Sequence, residues 1–129
     1  MTYYQLEIQK VKDTCWKNQQ QLDTVIKARH FIDQNFNEDL NLDLLSSILY
    51  TSKFHLLRLF KRYYGQTPKQ YLTEKRIQKS KELLSKGVSV IETCYAVGFE
   101  SHSSFTALFK SKIGVAPSVY QKRQFSISE

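Results

Sequence analysis

Ser52–Tyr71 reads SKFHLLRLFKRYYGQTPKQY. Leu56, Leu59, Phe60 and Tyr63 recur at helical spacing and predict one apolar stripe. Opposite them run Phe54, Leu57, Arg58 and Lys61. That mixture of aromatic, aliphatic and cationic groups exceeds what a helix facing only water needs. Ser52 is placed to cap the helix by accepting a backbone N–H bond, and Gly65 to end it in a left-handed conformation. Thr67, Pro68 and Gln70 then open another helix, with a cap, a first-turn proline and a capping box.

Upstream, Leu22, Val25, Ile26, Arg29, Ile32 and Phe36 predict a helix over Leu22–Phe36. The run NEDLN (37–41) breaks it, and Asn41 caps a short helix over Leu42–Leu49 with Leu44, Leu45 and Ile48 as its apolar positions. In Met1–Gln20, Tyr4, Ile8, Val11 and Cys15 share one helical face and Trp16 adjoins it. This predicts an extra helix that docks on the body, pairs with another chain or forms the tail of an upstream domain, docking being the favoured reading. Downstream, the helix opened at Pro68 runs to about Lys86, with Tyr71, Leu72, Ile77, Leu83 and Leu84 apolar, and Gly87 ends it. Ser89 and Glu92 start a short helix through Val97, Gly98–Glu100 form a turn, and Ser101 caps a helix to about Ile113. Ala116 and Pro117 begin a last short helix carrying Tyr120, and Gln124–Glu129 are expected to fray.

Slid by 49 positions, the chain matches itself. Ser52 meets Ser101, Leu59 Leu108, Phe60 Phe109, Lys61 Lys110, Gly65 Gly114, Pro68 Pro117 and Tyr71 Tyr120. At the same offset Ile48 meets Val97, Tyr50 meets Phe99 and Leu56 meets Phe105. Each unit is a short helix, a tight turn and a longer helix with an apolar back, which is the helix-turn-helix pattern. The expected fold is therefore all-α, homeodomain-like, with two helix-turn-helix subdomains (21–66 and 87–129), a linker helix (67–86) and an N-terminal extension (1–20). The 19 residues Pro68–Lys86 make a rod of about 28 Å, near the ~34 Å repeat of major grooves on one side of a duplex. Such a rod allows one chain to bind DNA as a monomer.

The net charge of +7 is uneven. Residues 1–51 carry −2, residues 52–88 carry +8 and residues 89–129 carry +1. A localised basic face is the footprint of a polyanion binder, although a charge run is often only a solvated face. Cys15 and Cys94 lack metal-ligand spacing and are expected to be free thiols in a reduced, cytoplasmic setting. No apolar run approaches the length needed to span a bilayer. No paired carboxylates, activated nucleophile, Gly-rich phosphate loop or metal cluster stands out, so neither enzymatic activity nor a cofactor is expected.

The segments SKFHLLRLFKRYYGQTPKQY and GFESHSSFTALFKSKIGVAPSVYQKR resemble the DNA-binding domain of the AraC/XylS family of bacterial transcription regulators. The second segment carries the more specific marks: Gly98, Phe99, Ser101, Phe105, Phe109, Lys110, Gly114, Pro117, Tyr120 and Arg123. The resemblance covers about Leu22–Arg123. It implies seven helices, an asymmetric double-stranded DNA site read in adjacent major grooves, transcription activation with RNA polymerase as a partner, and a partly structural Arg76. Two positions depart from the pattern: Tyr50 stands where the family carries Gly or a small polar residue, and Ala107 where an Arg or Gln suits base reading.

In the first unit the base-reading face is Lys53, Phe54, Leu57 and Arg58. Arg58 suits bidentate contact with guanine, and Phe54 and Leu57 suit thymine methyls. Phe54 has a competing reading as a core residue. In the second unit the equivalent face is His102, Ser103, Thr106 and Ala107, whose hydroxyls discriminate bases weakly. Ser52, Lys61, Arg62, Ser101 and Lys110 are placed to hold phosphates. The alternative to DNA binding is a helical protein-interaction module with a basic docking face.

Overall fold

The computed structural model describes residues 2–128. Among them are seven helices and no strand: α1 (Tyr3–Asn35), α2 (Leu42–Ile48), α3 (Lys53–Tyr64), α4 (Pro68–Ser85), α5 (Val90–Ala96), α6 (His102–Ile113) and α7 (Pro117–Ser128). The chain divides into two compact units. The first takes in α1 up to Ile32 together with Asn41–Pro68; the second takes in Asp33–Leu40 and everything from Lys69 onward.

The first difference from expectation lies in α1. Two helical stretches were expected, and a single helix of 33 residues is present. No Gly or Pro separates the two stretches, so nothing forces the backbone out of the α region. The expected docking of the N-terminal turns is absent, because Tyr3, Tyr4, Leu6, Ile8, Val11 and Trp16 are all exposed. At the other end, α7 stays helical to Ser128. The fraying expected over Gln124–Glu129 is therefore not found up to that residue, and Glu129 lies outside the described residues.

In the first unit Val25, Ala28 and Ile32 of α1, Leu45 of α2, and Leu56, Leu59 and Phe60 of α3 are buried. Tyr63, assigned to the core stripe, is exposed. Tyr64 is half-buried instead, with its ring 4.8 Å from that of Phe60 and the Arg29 guanidinium 5.6 Å from its centroid. Leu44, Ile48 and Ile26 also lie outside the core.

The second unit has a larger core of Ile77, Leu84, Cys94, Val97, Phe99, Phe105 and Phe109, with Phe36, Leu83 and Tyr120 packed against it. Ring centroids run from Phe99 to Phe105 at 5.2 Å, to Phe109 at 5.7 Å and to Tyr120 at 5.5 Å. Each such pair adds about 0.5–1.5 kcal/mol beyond area burial. Arg76 holds the entry segment in place. Its Nε donates to the carbonyl of Phe36 and its Nη2 to that of Glu38, both at 2.7 Å. Burial lowers the Arg76 pKa from its ordinary value, while Asp39 and Glu100 oppose that shift. The structural role implied for Arg76 is thus built from backbone carbonyls.

The repeat has a break in register. Helices α3 and α6 are capped by Ser52 and Ser101, 49 positions apart, but α2 and α5 are capped by Asn41 and Ser89, 48 apart. The turn bonds agree: Tyr50 N–H reaches Ser47 O as Gly98 N–H reaches Tyr95 O, and Thr51 N–H reaches Ser46 O as Phe99 N–H reaches Cys94 O. Tyr50 therefore corresponds to Gly98, not Phe99, and Leu49, not Ile48, corresponds to Val97. The second turn is one residue longer, at Glu100. A sliding comparison at fixed offset passes over such an insertion.

Candidate nucleic-acid interface

The recognition surface of the first unit follows from how α3 is fixed. The Ser52 side chain accepts the His55 N–H, and Gly65 closes the helix at φ 72° with its N–H on Lys61 O. With Leu56, Leu59 and Phe60 buried, the helix geometry turns Phe54, Arg58 and Lys61 outward, and all three are exposed; Lys53, seven residues before Phe60 and so on its side of the helix, is exposed because it is the first residue of α3. Phe54 is 67% exposed, which rules out its reading as a core residue. Lys53 Nζ stands 5.5 Å from the Phe54 centroid and 3.5 Å from an Asp43 carboxylate oxygen of α2. Leu57 is half-buried and flanks this face. Arg62 is exposed at the helix end and stacks near Tyr63, 5.9 Å from its centroid. The face thus combines an aromatic plate with cations, as a surface for base edges and phosphates requires.

The second unit repeats this frame with different chemistry. Ser101 accepts the Ser104 N–H at 3.2 Å and donates to the Ser104 hydroxyl at 2.8 Å. Gly114 closes α6 at φ 95°. His102, Ser103, Ala107 and Lys110 are exposed. Thr106 differs: it is half-buried, and its hydroxyl oxygen is shut from solvent without a hydrogen-bond partner. Ser104 joins the polar N-terminus of α6 and was not singled out from the sequence, although the Ser101-x-x-Ser104 spacing carries the signal. Glu100, the extra turn residue, adds a negative charge just before the α6 N-terminus, where Thr51 precedes α3.

Two short-helix, turn, long-helix units, each with the back of its second helix buried and the front open, define a double helix-turn-helix DNA-binding domain. A helix-turn-helix domain model matches residues 45–123, and the chain belongs to the AraC/XylS family of transcription regulators. It is 36% identical over 81 residues to an uncharacterized HTH-type transcriptional regulator, YbfI of Bacillus subtilis, covering 63% of this chain and 30% of that protein. It is 32% identical over 92 residues to the HTH-type transcriptional activator AarP of Providencia stuartii, covering 70% of this chain and 68% of AarP. Among solved structures, the C-terminal domain of AraT, a response regulator from Geobacillus stearothermophilus, superposes with a TM-score of 0.75 at 31% identity, over 78% of this chain and 84% of that one. The chain spans 30%, 60%, 44% and 38% of the length of four of the curated relatives it matches. No helix among the described residues is long and apolar enough to cross a membrane.

Proposed function

We propose that α3 and α6 enter adjacent major grooves of one asymmetric DNA site, and that the domain activates transcription in contact with RNA polymerase. The observation that carries this reading is the outward face of α3, where Phe54, Arg58 and Lys61 stand exposed directly opposite a buried apolar back. Arg58 reads guanine, Phe54 and Leu57 meet thymine methyls, and Lys53 sits at the edge of the reading face. In the second unit His102, Ser103 and Ala107 face the bases with weaker discrimination, and Thr106 joins them on rotation. Ser52, Ser101, Lys61, Arg62 and Lys110 hold phosphates. One chain suffices for one site, since it carries both recognition helices. RNA polymerase as a partner rests on the resemblance to the AraC/XylS family.

Selection of duplex sites from a random pool tests the reading. The expected product is an asymmetric site with two conserved blocks about one helical turn apart, the block under α3 being the sharper. Affinity for the best selected duplex within a few fold of random duplex at physiological salt contradicts it and favours a basic protein-docking module.

A further inference from the structure

Among the described residues nothing covers the N-terminal turns of α1, yet their apolar residues are not scattered. Tyr4, Ile8, Val11, Cys15, Asn18 and Leu22 follow one another at intervals of four, three, four, three and four residues. This is the spacing of a coiled-coil seam, with Ile8, Cys15 and Leu22 at one core position and Tyr4, Val11 and Asn18 at the other. Tyr4 is 72%, Val11 62% and Ile8 37% exposed, and Cys15 is an exposed free thiol. The body of the first unit instead covers Val25, Ala28 and Ile32. At 3.6 residues per turn those three lie roughly 90° around the helix from the exposed seam, so a partner on the seam lies beside the body rather than against it.

The flanks of the seam name the partner. Glu7 and Lys12 lie on its two sides, five positions apart. Across two parallel, in-register helices that spacing brings each Glu7 beside the other copy's Lys12, twice by symmetry. Among the described residues Glu7 makes an exposed contact with Lys10, 3.7 Å away, which competes weakly. The charges are therefore complementary to a second copy of the same surface. We propose that residues 4–22 form a parallel, in-register two-stranded coiled coil with a second copy of this chain. A two-fold pair of this kind joins two asymmetric DNA readers and suits two sites in inverted orientation.

Sedimentation equilibrium on the 129-residue chain, under reducing conditions and without DNA, tests this independently of the DNA-binding reading. The expected result is a reversible dimer whose dissociation constant rises at least tenfold in Ile8→Asp/Val11→Asp, while Trp16→Ser, off the seam, leaves it unchanged. Circular dichroism and the DNA affinity of one site check that the variant body stays folded. Glu7→Lys and Lys12→Glu each weaken the dimer severalfold, and the double exchange restores it. Mild oxidation by air with copper–phenanthroline links two copies through Cys15, each pair of thiols giving two electrons to the oxidant, and Cys15→Ser abolishes the link. A chain that is monomeric at millimolar concentration, a dimer indifferent to Ile8 and Val11, or a charge exchange that fails to restore pairing overturns the proposal.

Discussion

Tyr50 and Gly98 occupy the same turn position, one before each recognition helix, and both have positive φ, 53° and 100°. Gly98 has a steric reason as well. A Cβ there would stand 2.9 Å from Phe36 O and 3.1 Å from Arg76 Nε and Nη2. Tyr50 has no such neighbour requirement, for its side chain is 97% exposed. The left-handed conformation costs a non-glycine residue about 1–2 kcal/mol.

Replacing Tyr50 by Gly relieves that strain and removes no packing. The gain is offset by about 0.4–1 kcal/mol of unfolded-chain entropy, so Tyr50→Gly is expected to stabilise by up to about 1 kcal/mol. Gly98→Ala is expected to destabilise by about 1–3 kcal/mol through strain and displacement of Arg76. Urea unfolding followed by circular dichroism measures both, and the two substitutions should move the midpoint in opposite directions.

Helix caps were the legible part of this chain. Ser52, Ser89, Ser101 and Asn41 cap as their spacing predicts, because a hydroxyl or amide three residues before a free N–H has one good conformation. Two features were hidden. Tyr63 and Tyr64 are identical neighbours, and only packing decides which one turns inward. The extra Glu100 changes the turn without changing any cap. At the site, the outward face of α3 could be read from its buried back. The covered hydroxyl of Thr106 could not, because it depends on a side-chain torsion that the sequence pattern does not encode.

Phe60 and Phe109 are repeat partners, and both are fully buried. Phe60→Ala and Phe109→Ala should each cost about 3–5 kcal/mol. Chemical denaturation should show the loss, and DNA affinity should fall with the folded fraction rather than with altered sequence preference.

Arg76 binds two backbone carbonyls through a planar fork. Arg76→Ala should destabilise the second unit by about 3–6 kcal/mol, since charge-assisted bonds contribute about 1.5–3 kcal/mol each. Arg76→Lys should recover less than half of this, because an ammonium does not reproduce the fork. Hydrogen exchange of the second-unit amides reads the effect directly.

The two thiols differ in accessibility. Cys15 is exposed and Cys94 is buried, with its Sγ 3.5 Å from Ser101 O. Burial raises the Cys94 pKa above the ordinary value of 9.0. The folded state therefore favours the neutral thiol, and its contribution to stability is complete below about pH 9 and is lost as the pH rises toward the raised value. In the Ile8→Asp/Val11→Asp chain, where no second copy covers Cys15, a disulfide thiol reagent at neutral pH should modify one cysteine quickly and the second only on unfolding. Equal rates for both would show that Cys94 is open.

The proposed division of labour on α3 has Arg58 specify sequence and Lys61 position the duplex backbone. Competition binding of a selected site against random duplex, over a range of salt, tests it most directly. Arg58→Ala should lose about 1–3 kcal/mol on the selected site and relax preference at one position. Lys61→Ala should weaken all duplexes alike and reduce the salt slope by about 1. Uniform weakening by Arg58→Ala, with altered preference in Lys61→Ala, would contradict it.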